Sequence, residues 1–478
     1  MTSPVAQKIL RRKSIATLKA ETGADSEGGE LRRSMGLVRL TTLGVGSTVG
    51  TGIFIVLNEA VPEAGPAVVL SFVIAGITAA LSALCYAELA STIPVAGASY
   101  TYAYATLGEL VAYIVGACLL LEYGVATSAV AVGWGQYLNA LLGDTVGWQL
   151  PEALSAPPGD GGIVNVPSVV LVALCCMLLI RGTRESALVN AITVFIKIAV
   201  LLLFCAVAFT AFESTNLHPF APAGVGGVGA AASTIFFSYI GMDIVSTGAE
   251  EVRNPRRTLP LAIVASIIIV TAVYILVALA GVGAQPAGEF QGQEAGLAAI
   301  LSKVTSAGWP AAVLAAGGVV SIFGVTLATL YGQTRVLFSM GRDGMLPEIF
   351  HRVSPRTTTP VHNTLIVSLF VALLAAVVPL DTLANLTSMG TLVAFTVVSI
   401  GVLVLRRTRP DLERGFRVPG YPVVPALSVG ACLYLIWGLP LDTDIMFAIW
   451  LALALVLYFS YSIRHSRVGR EEVTAADA

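Results

Sequence analysis

The stretch GSTVGTGIF, Gly46–Phe54, lies inside an apolar run from Leu40 to Leu57 that is long enough to cross a bilayer. Gly44, Gly46, Gly50 and Gly52 all fall within that run. Each glycine costs a helix interior roughly 1 kcal/mol relative to alanine. A spanning segment that weakens its own helix so locally is marked as special, and the rest of the chain indicates for what.

Of 478 residues, 56% are hydrophobic and only 12% charged, whereas soluble domains carry about 25% charged residues. Apolar runs of membrane-spanning length recur at Leu40–Leu57, Ala67–Leu89, Leu107–Leu138, Val166–Ile180, Ser186–Phe212, Val228–Ala249, Leu259–Val282, Ala311–Phe338, Val361–Val378, Leu383–Leu405, Val423–Leu439 and Ile445–Tyr461. This pattern predicts an all-α polytopic membrane protein with twelve transmembrane helices. With the N-terminus inside, 25 of the 27 Lys and Arg residues fall on the inner side, leaving Lys303 outside and Lys197 within a span. That asymmetry follows the positive-inside rule and places both termini in the cytoplasm, at a cell membrane whose lipid surrounds the helices.

The six cysteines all lie in spans and lack zinc-ligand spacing, so they read as small buried apolar residues. The basic N-terminal ILRRKSIATLKAE, Ile9–Glu21, does not read as a signal peptide and is expected to anchor topology or lie on the inner leaflet. Nothing in the chain points to nucleic acid. The four histidines sit at loops or span edges, and no catalytic triad order, metal spacing or phosphate loop occurs, so an enzyme is not expected.

The sixth span, STIFFSYIGMDIVSTGAEE, is a second poor helix, with Gly241 near its centre beside Asp243. Gly52 precedes Pro66 by fourteen residues, and Gly241 precedes Pro255 by the same interval. If spans 1–5 and 6–10 are repeats, each has an odd number of helices and the second must be inverted relative to the first. The expected organisation is a basic segment over 1–39, one repeat over 40–212, its inverted counterpart over 228–405, two further helices within 406–464 and a tail over 465–478.

A break in the first span must be buried or line a polar cavity, because bare backbone groups cannot face lipid. The half-helix after it would offer the free N–H groups of Gly50, Thr51 and Gly52 to an anion. The half before it would offer carbonyls to a cation. An α-amino acid carries both charges at that separation. The alternative is that Gly46 and Gly50 allow close packing of a neighbour; the matched irregularity in the sixth span favours the break.

Four quoted stretches carry a resemblance. They are GSTVGTGIF, YAELASTIPVAGASYTYAYATLGE (Tyr86–Glu109), FFSYIGMDIVSTGAEEVRNPRRTLP (Phe236–Pro260) and YGQTRVLFSMGRDGMLP (Tyr331–Pro347). In this order they resemble the amino acid–polyamine–organocation transporters, and among them the bacterial relatives of the cationic amino acid transporters. The resemblance implies the leucine-transporter fold, with five-plus-five inverted repeats, interrupted helices 1 and 6, and alternating access. It also implies that the substrate carboxylate sits at Thr51 and Gly52. The carbonyls of Thr48, Phe237, Ser238 and Ile240 would lie near the amine, with Phe237 gating the site.

Ionisable residues within spans are costly and by default functional. Lys197, in NAITVFIKIAVLLLF, is about 12 residues, or roughly 18 Å, from either end of its span. In the resembled family a lysine here stands where sodium-coupled relatives hold an ion, so Lys197 is expected to bind and release a coupling proton; a permanently charged lysine bonded to helix 1 carbonyls is the alternative. Glu122 is expected near mid-depth, meeting a substrate cation, relaying protons or bonding a neighbouring helix. Asp243 is expected to cap the second half of helix 6. Glu88, Glu109, Glu250 and Glu251 are expected to pair with inner-loop arginines. The function expected is proton-coupled import of cationic or neutral α-amino acids without a cofactor. An exchanger or facilitator of the same fold and a non-transporting amino acid sensor are the alternatives.

Overall fold

Apolar sequence without interior proline satisfies its backbone most readily as helix, and helix accounts for nearly every element here. The computed structural model describes residues 8–13, 35–93, 98–182, 187–247, 252–354, 357 and 359–469. Its principal helices are α1 (Leu37–Thr48), α2 (Thr51–Ala64), α3 (Val68–Thr92), α4 (Ala98–Thr106), α5 (Glu109–Val146), α6 (Val166–Arg181), α7 (Ala187–Ala208), α8 (Gly224–Ile235), α9 (Ile244–Thr247), α10 (Pro255–Ala284), α11 (Trp309–Arg342), α12 (Val361–Val377), α13 (Leu380–Thr408), α14 (Val423–Trp437) and α15 (Leu441–Leu457). Among the described residues the only β pairing is an isolated bridge between Met35 and Val252.

Eight helical tracts are long and apolar enough to cross a membrane, where the sequence predicts twelve spans. The difference is one of length and continuity. α6, α12 and α14 are apolar but have only 16, 17 and 15 residues. The first span is divided between α1 and α2, and α2 continues into α3 through a tight turn at Gly65–Ala67. Helix ends follow local chemistry. Asn165 accepts the Ser168 N–H to cap α6, and Gly147 and Gly182 adopt left-handed conformations that close α5 and α6.

The centre of the bundle is α5, which packs against α11 and α13. In its most apolar window 78% of residues are buried, against 11% for the tract Leu441–Gly469. α15 is therefore peripheral, and its outward Ile449, Leu453 and Val456 offer an apolar face suited to lipid.

Both irregular spans are interrupted. α1 stops at Thr48, Val49 and Gly50 are extended, and α2 starts afresh at Thr51. α8 tightens into a 3₁₀ turn at Phe236–Tyr239, Ile240 is extended, and Gly241 turns the chain with φ +93° before α9. At one end of the bundle, Glu88 of α3 is held by Arg406 and Arg414 and accepts the Val418 N–H at 2.7 Å. Glu109 instead accepts hydroxyls from Tyr104, Tyr458 and Ser466. The expected pairing with arginine thus holds for Glu88, whereas the carboxylate of Glu109 takes three hydroxyls and has Arg11 as its charged neighbour; Glu250 and Glu251 lie outside the described residues.

A β-carbon on Gly241 would lie 2.6 Å from the Ser47 carbonyl, in a backbone conformation that L-residues rarely adopt. Gly241→Ala should therefore destabilise the protein by at least the about 1–3 kcal/mol typical of such strain. Gly226→Ala, on an exposed position of α8 with open space around it, should be neutral or stabilising. Thermal unfolding of the detergent-solubilised protein compares the two.

Candidate substrate site at two helix breaks

Two interrupted helices expose backbone groups that must find partners, and here they find one another. The Ser47 hydroxyl donates to the Gly241 carbonyl at 2.8 Å. Gly52 sits so close to the 3₁₀ turn that an added β-carbon would fall 2.5 Å from Ser238 Cα. The absence of a side chain at Gly52 thus lets the two breaks meet backbone to backbone.

Tyr274 of α10 joins them. Its hydroxyl lies 2.9 Å from the carbonyls of both Thr48 and Ser238. A phenol has one proton, so it donates to one of these acceptors at a time. The ring is held edge-on between Tyr239 and Phe72, with centroids 5.4 and 6.0 Å away. Two carbonyls assigned from sequence to the substrate amine are thereby held by a residue that sequence reasoning missed. The available signal was a lone tyrosine in the apolar VTAVYILVAL, since a buried phenol needs a polar partner.

The other side of the first break is the start of α2. Gly50 precedes this helix, and no side chain caps it. The first amides of a helix have no intrahelical partner, and they carry the positive end of its dipole. Thr51 supplies backbone only here, since its side chain lies outside what is described. Opposite, a β-carbon on Gly50 would meet Val325 Cγ2 of α11 at 2.9 Å, so Val325 closes over the break. Phe237 and Ile240 in the sixth-span break are buried, and the Ser238 hydroxyl is buried without a hydrogen-bond partner among the described residues. The Phe237 carbonyl accepts the Ile240 N–H at 3.4 Å.

Lys197 of α7 is 3% exposed, and its ammonium donates to the Gly46 carbonyl of α1 at 2.8 Å. It therefore reaches the half-helix that sequence assigned to it. Glu122 of α5 is fully buried with the Thr391 side chain beside it, and neither carboxylate oxygen has a hydrogen-bond partner within normal geometry among the described residues. Its electrostatic neighbour is Asp243. Asp243 accepts the phenol of Tyr123, while its backbone carbonyl accepts both the amide (2.8 Å) and the hydroxyl (2.6 Å) of Ser246. The Asp243 carboxylate thus links α5 to the sixth-span break, and one more residue missed from sequence, Tyr123, completes the link. Lys197 and Asp243 approach the breaks from different helices, α7 and the α8–α9 connection.

Residues 35–461 match the family described as "Amino acid permease". Over 97% of its length the chain is 43% identical to the branched-chain amino acid permease BcaP of Bacillus subtilis (strain 168), 99% of which is covered. It is 40% identical, over 97% of its length and 99% of the relative's, to the methylthioribose transporter of the same organism. It is also 36% identical to the vacuolar cationic amino acid transporter 4 of Arabidopsis thaliana, over 80% of this chain and 64% of that one.

Replacing Tyr274 by Phe keeps the ring and removes the hydroxyl shared by two buried carbonyls. The expected cost is about 1–3 kcal/mol, read as a lower melting temperature. Tyr239→Phe removes a bond to the Phe72 carbonyl alone and should cost less. Equal effects of the two variants would show that the bridge between the breaks contributes nothing special.

Proposed function

The chain belongs to the amino acid permease family of the amino acid–polyamine–organocation superfamily, and from that premise we propose that it imports neutral, branched-chain α-amino acids together with protons. Amino acid transport by a multi-pass membrane protein is the property of the family. The further reading assigns twelve spans in two inverted five-helix repeats, a bacterial cell membrane, and both termini in the cytoplasm. One observation carries the assignment of the site, namely the bonding of the two helix breaks to each other beside the uncapped start of α2.

In this reading the substrate carboxylate meets the amides of Gly50, Thr51 and Gly52. Its ammonium takes one of the two carbonyls, Thr48 or Ser238, that the Tyr274 hydroxyl covers, and the phenol keeps the other. The carbonyls of Phe237 and Ile240 complete the amine side. The side chain faces Val325, Phe237 and Ile240, an apolar wall suited to leucine, isoleucine or valine. Support for that class comes also from the branched-chain permease, which the chain matches nearly end to end.

Lys197 supplies the coupling step. When charged, its ammonium holds the Gly46 carbonyl, and with it α1, against α7; loss of the proton weakens that hold and frees α1 to move as the site opens inward. A second reading, transport of cationic amino acids, draws on the buried carboxylate of Glu122 and on relatives such as the Arabidopsis transporter. In that case Glu122 meets the substrate's basic group.

Uptake of labelled leucine and arginine into proteoliposomes, with and without an inward proton gradient, tests these statements. Leucine uptake should be accelerated by the gradient and arginine should compete weakly. Arginine as the preferred substrate would transfer the assignment to the Glu122 reading. Lys197→Ala should lose the acceleration by the gradient while retaining leucine exchange at equal pH; full gradient-driven uptake by this variant would remove Lys197 from the coupling step.

A further inference from the structure

An ionised side chain on the outside of a spanning helix must reach water or find a partner. Arg335 of α11 is exposed, and its guanidinium stacks over the ring of Tyr331, one turn back on the same helix, at 4.8 Å from the centroid. Among the described residues no acid pairs with it. Of the next two acids along the chain, Asp343 already holds the Lys13 ammonium and the Tyr100 hydroxyl, each at 3.0 Å. The other, Glu348, sits in a 3₁₀ turn past the end of α11.

Several contacts place Arg335 and Tyr331 at one edge of the apolar zone. α11 has 34 residues, or about 50 Å of helix against a hydrocarbon core of about 30 Å, so its ends project by about 10 Å each. Arg335 precedes the last residue of α11, Arg342, by about 10 Å along the axis. Neighbouring helices begin or end at the same level. Asn363, in the first turn of α12, donates to the Thr334 carbonyl at 2.9 Å, and the Thr359 hydroxyl donates to the Ile180 carbonyl at the end of α6. β-Carbons on Gly324 and Gly317 would meet Thr193 and Val200 of α7, so α7 and α11 run antiparallel and Ala187, where α7 begins, is level with Leu330. The stacked pair therefore lies where headgroups meet acyl chains, a depth that suits a tyrosine ring and a snorkelling arginine.

The same face of α11 continues as apolar surface. Val313, Val320 and Tyr331 are exposed at intervals of whole helical turns and fall on one stripe with Arg335. From Tyr331 to Val320 is about 16 Å, the depth of one leaflet of a core about 30 Å thick. Ile192 and Phe195 of the adjoining α7 are exposed at intermediate depth. One cationic head thus leads directly into a bare apolar track.

We propose that Arg335 and Tyr331 bind the phosphate of an anionic phospholipid whose acyl chains lie on the α11 stripe through Val320. Stacking uses the flat face of the guanidinium and leaves its N–H edge able to donate as a fork to two phosphate oxygens. The Tyr331 hydroxyl, which has no partner among the described residues, offers a further donor. A free phosphate would use the same donors but leave the apolar stripe bare, and a zwitterionic lipid would bring its own cation against the arginine. A head such as that of phosphatidylglycerol matches both the charge and the track. The inference needs only that the chain spans a membrane; it is independent of the substrate, coupling and orientation proposed above.

Native mass spectrometry of the full chain, released from detergent after titration with phosphatidylglycerol or phosphatidylcholine, counts bound lipid directly. The wild type should bind phosphatidylglycerol about tenfold more tightly than phosphatidylcholine, and Arg335→Gln should lose that preference. Tyr331→Leu should weaken it by about threefold. Arg181→Gln, which removes an exposed charge at the same level from the end of α6, should bind as the wild type does. Absence of a preference in the wild type, its survival in Arg335→Gln, or an equal loss in Arg181→Gln overturns the site. If Arg335→Gln does not fold, Arg335→Lys keeps the charge without the fork and should still weaken the preference; an unchanged preference in both Arg335→Lys and Tyr331→Leu counts equally against it. In thermal unfolding phosphatidylglycerol should raise the midpoint of the wild type more than that of Arg335→Gln. Equal protection by inorganic phosphate at the same concentration would assign the site to a free anion and overturn the lipid.

Discussion

Hydrocarbon offers no hydrogen bonds, and the whole arrangement depends on that fact. A membrane-spanning chain that interrupts two of its helices must supply partners for every amide and carbonyl it frees away from water. Ser47 on Gly241, Tyr274 on Thr48 and Ser238, and Lys197 on Gly46 are those partners. They come from two separate helices, α7 and α10, and from the first break itself, so the packing of α1, α7 and α10 is constrained by the need to cover a few backbone atoms. Gly52, which looked like a defect in one helix, is the place where this covering requires backbone to touch backbone.

The supporting structure is graded in the same sense. α5 is enclosed along most of its length, carrying Glu122 and Tyr123 to the inner side of the breaks, and Thr127 of α5 donates to Thr329 of α11 across the central crossing at 2.9 Å. α15, by contrast, is largely bare of protein contacts. A long rigid centre beside interrupted helices provides a fixed surface against which short half-helices can shift.

Sequence was informative wherever a residue violated a local expectation. Gly241 stood out in a poor helix and proves to need its positive φ. Lys197 stood out as a charge at mid-depth and proves to hold the carbonyl end of α1. Glu88 stood out as an acid near inner arginines and is held by two of them. Tyr274, Tyr123 and Lys13 violate nothing locally. A tyrosine in a spanning helix or a lysine in a basic segment is ordinary, and its partner lies 36 to 330 positions away in the chain. The positions of the helices were legible from apolar runs, but their lengths were less so. α6, α12 and α14 keep to within two residues of their apolar runs, whereas α5 runs on to Val146, eight residues past the apolar run that predicts it.

The Tyr274 phenol has consequences for how tightly such a site can hold anything. One proton faces two acceptors, so at any instant one carbonyl holds it and the other goes without it. In the reading proposed above, an arriving ammonium takes the carbonyl that the phenol proton leaves open, and the phenol keeps the other. Occupied or vacant, the phenol proton then always has a carbonyl to serve, and which of the two it serves is free to change as an occupant comes and goes.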